Sequence, residues 1–268
     1  MIPQKSIKIE GTKHKYSHAG KGKPVILLPG LGATYQTWDK TFSYLSRHYQ
    51  VYSISLPIYG TRNKTGDAYN LDNLHKFLGL FINKVGIEKP SLIGHSLGGL
   101  VSLSYVTNNP KGVNKLILVA SPLSNQKKKP SLLLKGVVSF ALSKKSEALT
   151  KFLLKRKNLT KSLTKLVFSG DGVPDFNEIF SYIPAKNYAL GVQDLLTKNY
   201  KEEISKVNIP TLIIYGNNDK ALHILNGTSY YDNFSKGKII TLNDNHFIQT
   251  NSPKKLAGII AEFLEEGL

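Results

Sequence analysis

Short runs of β-branched and aliphatic residues alternate with stretches whose apolar residues recur every three or four positions. Ser6 to Glu10 and Lys13 to Ser17 read as two short strands of an opening hairpin. Pro24 to Leu28 is a continuous apolar run, as expected of a strand covered on both faces, and it ends in the turn Pro29-Gly30-Leu31-Gly32. Thr37 to Tyr49 is predicted helical, with Trp38, Phe42 and Leu45 on one face, and Val51 to Ser55 is the next strand. Asn70 is placed to cap a helix running to about Val85, on which Leu71, Leu74, Leu78 and Ile82 keep helical spacing. Lys89 to Ile93 reads as a strand, followed by a glycine-rich turn and a helix from Leu97 to Asn108 that Pro110 ends. Further strands are predicted at Lys115 to Ala120, Thr211 to Tyr215 and Lys238 to Leu242. A helical stretch near Leu225 to Phe234 separates the last two, and Pro253 opens a closing helix to about Glu265.

Strands alternating with helices imply an α/β fold: a mostly parallel eight-stranded sheet with helices on both faces. Residues from about Pro122 to Tyr200 break the rhythm, being leucine-rich, lysine-rich and without a convincing strand. They are expected to form a helical cap, or lid, inserted over the carboxyl edge of the sheet. The expected organisation is a core of residues 1–121 and 201–268 with the cap at 122–200.

A length of 268 residues suits one large α/β domain, and 41% hydrophobic with 20% charged residues excludes wholesale disorder. No window approaches the ~20 apolar residues of a membrane span. Met1 to Lys23 is polar, with no visible secretory signal, so the expected location is the cytoplasm. With no cysteine, disulfides, cysteine catalysis and thiolate metal sites are excluded. The net charge of +18 is the unusual quantity. It is concentrated between Ser124 and Leu166, where 12 Lys/Arg face one Glu. Leu149, Phe152, Leu153, Leu159, Leu163 and Leu166 fall near helical spacing there, beside the apolar run Ser131 to Leu142. A basic amphipathic helix of this kind can touch an anionic membrane surface. The favoured reading is plainer: the apolar face rests on the domain and the lysines stay in water. No motif accompanies the charge that would indicate specific nucleic-acid binding.

The chemistry centres on Gly94-His95-Ser96-Leu97-Gly98-Gly99, which contains the Gly-x-Ser-x-Gly pattern of a nucleophile elbow. That device requires a serine on a sharp strand-to-helix turn, where side chains two positions to either side would clash. The sequence supplies the strand, the helix and both glycines. No lysine follows as a P-loop needs, and G-x-G-x-x-G spacing is absent, so a phosphate cradle is disfavoured.

On these residues, together with Leu28-Pro29-Gly30-Leu31-Gly32, Tyr215-Gly216-Asn217-Asn218-Asp219 and Asn245-His246-Phe247, the chain resembles the α/β-hydrolase superfamily over nearly its whole length. The likeness is to cap-bearing esterase, C–C hydrolase and perhydrolase-like members. It implies Ser96 as nucleophile, Asp219 as orienting acid and His246 as general base, in the chain order such proteins show. Asp244 lies too close to His246 in the chain to serve its ring, and Ala120-Ser121-Pro122 offers no carboxylate at the other acid position used by some relatives. His95 is expected to pack under the turn; His14, His18, His48, His75 and His223 are expected to be surface or core residues. The backbone N–H groups of Leu31 and Leu97 are the expected oxyanion donors.

Departures from the superfamily pattern sharpen the reading. Pro29 stands where a histidine often precedes the oxyanion glycine, and Ser55 to Arg62 lacks the acid of a commonly seen run. Serine at position 96, not aspartate, disfavours haloalkane dehalogenase and epoxide hydrolase chemistry, and the elbow differs from the Gly-Gly-Ser-Trp-Gly typical of proline iminopeptidases. The expected activity is hydrolysis of a small- to medium-chain carboxylic ester of an apolar small molecule, without metal or cofactor. Thioester or carbon–carbon bond hydrolysis on the same residues, and a non-catalytic ligand-binding protein, are the alternatives.

Overall fold

The computed structural model describes residues 2–57, 71–123, 195, 199–225, 228 and 230–267. The expected Asn70 cap, the run Ile58 to Arg62 and nearly all of the expected cap, including its apolar and lysine-rich stretches, lie outside the described residues.

Eight strands form one sheet: β1 (Gln4–Ile9), β2 (Thr12–Ala19), β3 (Pro24–Leu28), β4 (Gln50–Ile54), β5 (Ser91–His95), β6 (Leu116–Val119), β7 (Thr211–Gly216) and β8 (Gly237–Leu242). Their spatial order is β1-β2-β4-β3-β5-β6-β7-β8, and β2 alone runs against its neighbours. The β1–β2 hairpin turns through Glu10 and Gly11, both at positive φ (47° and 80°), which suits the twist of a two-residue turn.

In β3, Val25 and Leu27 face one layer while Ile26 and Leu28 face the other. The same two-residue alternation divides Leu116 and Leu118 from Ile117 and Val119 in β6, and Ile213 from Leu212 and Ile214 in β7. An unbroken apolar strand therefore feeds two cores at once. One core receives α2 (Leu71–Val85) and α3 (Leu97–Asn108). The other receives α1 (Asp39–Leu45) and the closing helix Pro253–Glu265.

Two predicted helical segments differ from expectation. The first runs as a 3-10 turn (Tyr35–Trp38) followed by α1, and stops at Leu45 instead of Tyr49. Tyr49 turns inward there, its hydroxyl donating to Glu265 at 2.7 Å, so the chain is already entering β4. The stretch read near Leu225 to Phe234 is instead α5 (Lys220–Leu225) and a 3-10 turn at Tyr231–Asn233. Short helices α4 (Lys201–Ser205) and α6 (Ile248–Asn251) precede β7 and the closing helix, α7. Trp38, Phe42 and Leu45 are all buried, as their spacing predicts.

Lys115, at the entrance to β6, is 4% exposed. Its ammonium donates to the carbonyls of Phe263 (2.7 Å), Leu264 (3.3 Å) and Glu266 (2.6 Å), and so caps the carboxyl end of α7 with a full positive charge. Burial pulls its pKa down, opposed by Glu266. Replacing Lys115 with Met strands those carbonyls. We expect a loss of about 1–3 kcal/mol of stability in urea unfolding, with the α7 amides exchanging faster.

His14, its ring tilted at 55° to that of Phe77 with centroids 4.7 Å apart, has its pKa lowered by burial from 6.5. Its stabilising contribution is complete above pH 6.5 and fades as the pH falls, because the unfolded chain then takes up a proton that the native state refuses. The His14→Phe variant should therefore lose less stability between pH 7 and pH 5 than the parent. Parallel unfolding midpoints against pH would contradict this.

Candidate active site

β5 ends at His95 and α3 begins at Leu97, so Ser96 alone makes the turn between them, with φ 51° and ψ −118°. A non-glycine residue in that region costs on the order of 1–3 kcal/mol and persists only where its surroundings fix it. They do so by close approach. A Cβ on Gly94 would lie 2.3 Å from the main chain of Gly98, and one on Gly98 would lie 2.4 Å from the Leu28 carbonyl oxygen. Only glycines let the elbow close onto itself and onto the end of β3.

The strand order supplies a reason for this location. From β3 the chain moves outward to β4, then crosses back to β5 on β3's other side. The carboxyl ends of β3 and β5 thus flank a topological switch point, where open α/β sheets bind ligands. The Pro29-Gly30-Leu31-Gly32 turn leaves β3 beside the elbow; a Cβ on Gly30 would be 3.2 Å from the Ser96 Cβ. The Leu31 N–H belongs to that turn, which Ala33 N closes on Gly30 O at 3.2 Å. The Leu97 N–H is among those a helix start leaves without an intrahelical acceptor.

The sheet brings the other two expected residues to the same edge. Asp219 follows β7 and His246 follows β8, and their loops meet tightly: a Cβ on Gly216 would sit 2.2 Å from the Asp244 carbonyl oxygen. His246 Nδ1 lies 2.7 Å from Asp219 Oδ2. Asp219 Oδ1 accepts from Leu222 N at 2.9 Å, capping α5. One carboxylate, 1% exposed, thus starts a helix and holds an imidazole. A carboxylate offers only acceptors, so the histidine proton sits on Nδ1 and Nε2 is left as the basic nitrogen. Ser96 and His246 are each 7% exposed.

Asp244 is occupied elsewhere, its Oδ1 accepting from Asn245 N (2.8 Å) and Asn251 Nδ2 (3.0 Å). His18 stacks on Tyr52, and His75 meets the Ser104 hydroxyl at 3.0 Å. Two features escape sequence reasoning. Tyr231 donates to Ser121 O at 2.8 Å, and its phenol is held well above the usual 10 by burial, then by Asp219. His95 reaches the backbone of His246. Both contacts span more than a hundred residues and carry no local signature. Among the described residues no cluster of three or more His, Asp or Glu could hold a metal ion, and no helix is long and apolar enough to cross a membrane.

Comparison with known proteins agrees with this architecture. Residues 23–253 match the model of the α/β-hydrolase fold family. The chain is 26% identical over 268 residues, 95% of its length and 88% of the relative's, to a 2-hydroxy-6-oxo-6-(2'-aminophenyl)hexa-2,4-dienoic acid hydrolase of Metapseudomonas resinovorans. It is 28% identical over 215 residues (75% of this chain, 77% of the relative) to a pimeloyl-[acyl-carrier protein] methyl ester esterase of Aliivibrio fischeri. Among solved structures, the enol-lactonase of Burkholderia xenovorans shares the fold with a TM-score of 0.76, at 16% identity, over 98% of this chain and 100% of the other. With the family model matched over most of its length, its elbow at a topological switch point and its strand order, the chain belongs to the α/β-hydrolase fold family.

Proposed function

We infer that this hydrolase cleaves carboxylic esters of small to medium acyl chain through Ser96, His246 and Asp219. The observation that supports this most is the buried 2.7 Å contact between His246 Nδ1 and Asp219 Oδ2, made at the same sheet edge as the strained serine. A serine hydroxyl attacks a carbonyl only when a base removes its proton. His246 Nε2 takes that proton, and Asp219 holds the ring in the required tautomer and stabilises the cation.

The Ser96 oxygen bonds to the substrate carbonyl carbon, and the negative charge moves to the carbonyl oxygen. The N–H groups of Leu31 and Leu97 receive it, each worth about 3 kcal/mol in the transition state. Collapse breaks the ester C–O bond, and the departing alcohol oxygen takes the proton from His246. Water, deprotonated by the same imidazole, then releases the acid and restores Ser96. Main-chain donors leave the Leu31 and Leu97 side chains free to be apolar, and both join the hydrophobic layer on one face of the sheet.

Carbon–carbon bond hydrolysis on the same residues is the second reading, favoured by the 26% identity to the dienoic acid hydrolase. A substrate panel separates the two. Pure protein should hydrolyse p-nitrophenyl esters somewhere between acetate and decanoate and react with a fluorophosphonate probe. Ser96→Ala should abolish labelling, and Asp219→Asn should lower kcat by about 10³–10⁴. Turnover of a vinylogous diketone with every ester left intact would select the second reading. Absence of labelling in the parent protein would point to a binding protein.

A further inference from the structure

Successive strand side chains alternate between faces, so His95 shares the face of Ile93, toward the layer that holds Ile248 and α7. Its imidazole is enclosed there, 2% exposed. On one side stands the turn after β3: a Cβ on Gly30 would lie 2.9 Å from His95 Nδ1 and 3.3 Å from Cε1. On the other stands the loop after β8, with the His246 ring centroid at 4.8 Å and that of Phe247 at 5.9 Å. His95 Nε2 is 2.8 Å from the carbonyl oxygen of His246. A carbonyl can only accept, so Nε2 carries the proton and donates it. Nδ1, which has no hydrogen-bond partner among the described residues, is then an unprotonated nitrogen, as that contact requires.

A polar ring in such a place costs free energy that an apolar ring of similar size would not. What it gains is a bond to the main chain of the residue expected to move the proton. The bonds within the loop run between near neighbours: Asn245 N to Asp244 Oδ1 at 2.8 Å, and Phe247 N to Asn245 Oδ1 at 2.9 Å. Longer-range bonds tie it to the loop after β7, Asn218 N donating to Asp244 O at 3.0 Å and His246 Nδ1 to Asp219 Oδ2 at 2.7 Å, and Thr41 Oγ1 donates to Gln249 O at 3.1 Å. The His95 bond reaches the elbow itself, because His95 is joined covalently to Ser96.

We propose that His95 is a positioning residue, whose Nε2–H ties the His246 main chain to the nucleophile elbow and so sets the imidazole against Ser96. Its catalytic consequence rests on the function proposed above; the tether itself does not. Burial, then the neighbouring His246, hold its pKa well below 6.5. His95 therefore stays neutral while His246 acquires a proton, and does not compete for it.

The test compares two variants of similar length in the full chain. His95→Gln keeps an N–H near the Nε2 position; His95→Met removes it. Two readouts are needed. In hydrogen exchange, the amides of residues 245–249 should exchange at least tenfold faster in the Met variant and within threefold of the parent in the Gln variant. In p-nitrophenyl ester hydrolysis, the Met variant should lose about 10- to 100-fold in kcat. Its KM should stay within threefold, and the Gln variant should recover most of the loss. If either variant is too unstable to measure by activity, exchange under native conditions still reports the tether. Equal exchange in both variants, or full kcat in the Met variant, overturns the proposal. If the parent protein proves inert toward esters, the hydrolysis reading fails, while the exchange comparison still decides whether His95 ties the two loops together.

Discussion

The site depends on how closely the first turn of α3 approaches the end of β3. With Gly98 at the Leu28 carbonyl there is no space for even one methyl group, and the strand, the elbow and the helix form one rigid corner. Ser96 is held at φ 51° by that closure, not by any preference of its own. An alanine at position 98 would have to separate α3 from the sheet. The turn carrying Leu31 lies against this corner, and the loop carrying His246 is joined to it through His95.

The acid and base are organised by a second close approach, between Gly216 and the Asp244 carbonyl, which draws the loops after β7 and β8 together. Asp219 then works twice, through separate oxygens. One starts α5 and the other fixes the His246 ring. Capping limits the rotation of the carboxylate and the ring contact uses what remains, so helix initiation and orientation of the imidazole support each other. Tyr231 fills the space beside the carboxylate with a buried phenol whose hydroxyl is spent on Ser121.

Much of this was legible in the chain because its strands are apolar on both faces and its turns are marked by glycine. β3 and α7 match their predicted bounds, and α3 matches from Leu97 to Asn108. β5 slipped by two residues, to Ser91–His95, because Pro90 has no N–H to give a ladder and Lys89 takes φ 42°. The helix after β7 starts earlier than its periodicity suggests, because its start is set by the Asp219 side chain. Four-residue α6 is too short to show a period at all. Asp219 is placed both to start α5 and to hold the His246 ring, and no sequence pattern signals that double use. The His95 contact joins residues 151 positions apart, which only the closed sheet can reveal.

The most direct measurement is a crystal structure of the protein after reaction with a small alkyl fluorophosphonate. The account predicts phosphorus bonded to the Ser96 oxygen, with one phosphoryl oxygen within about 3.2 Å of both the Leu31 and Leu97 nitrogens, and the His246 ring still backed by Asp219. A phosphonate attached elsewhere, or one whose oxygen points away from both N–H groups, would contradict it.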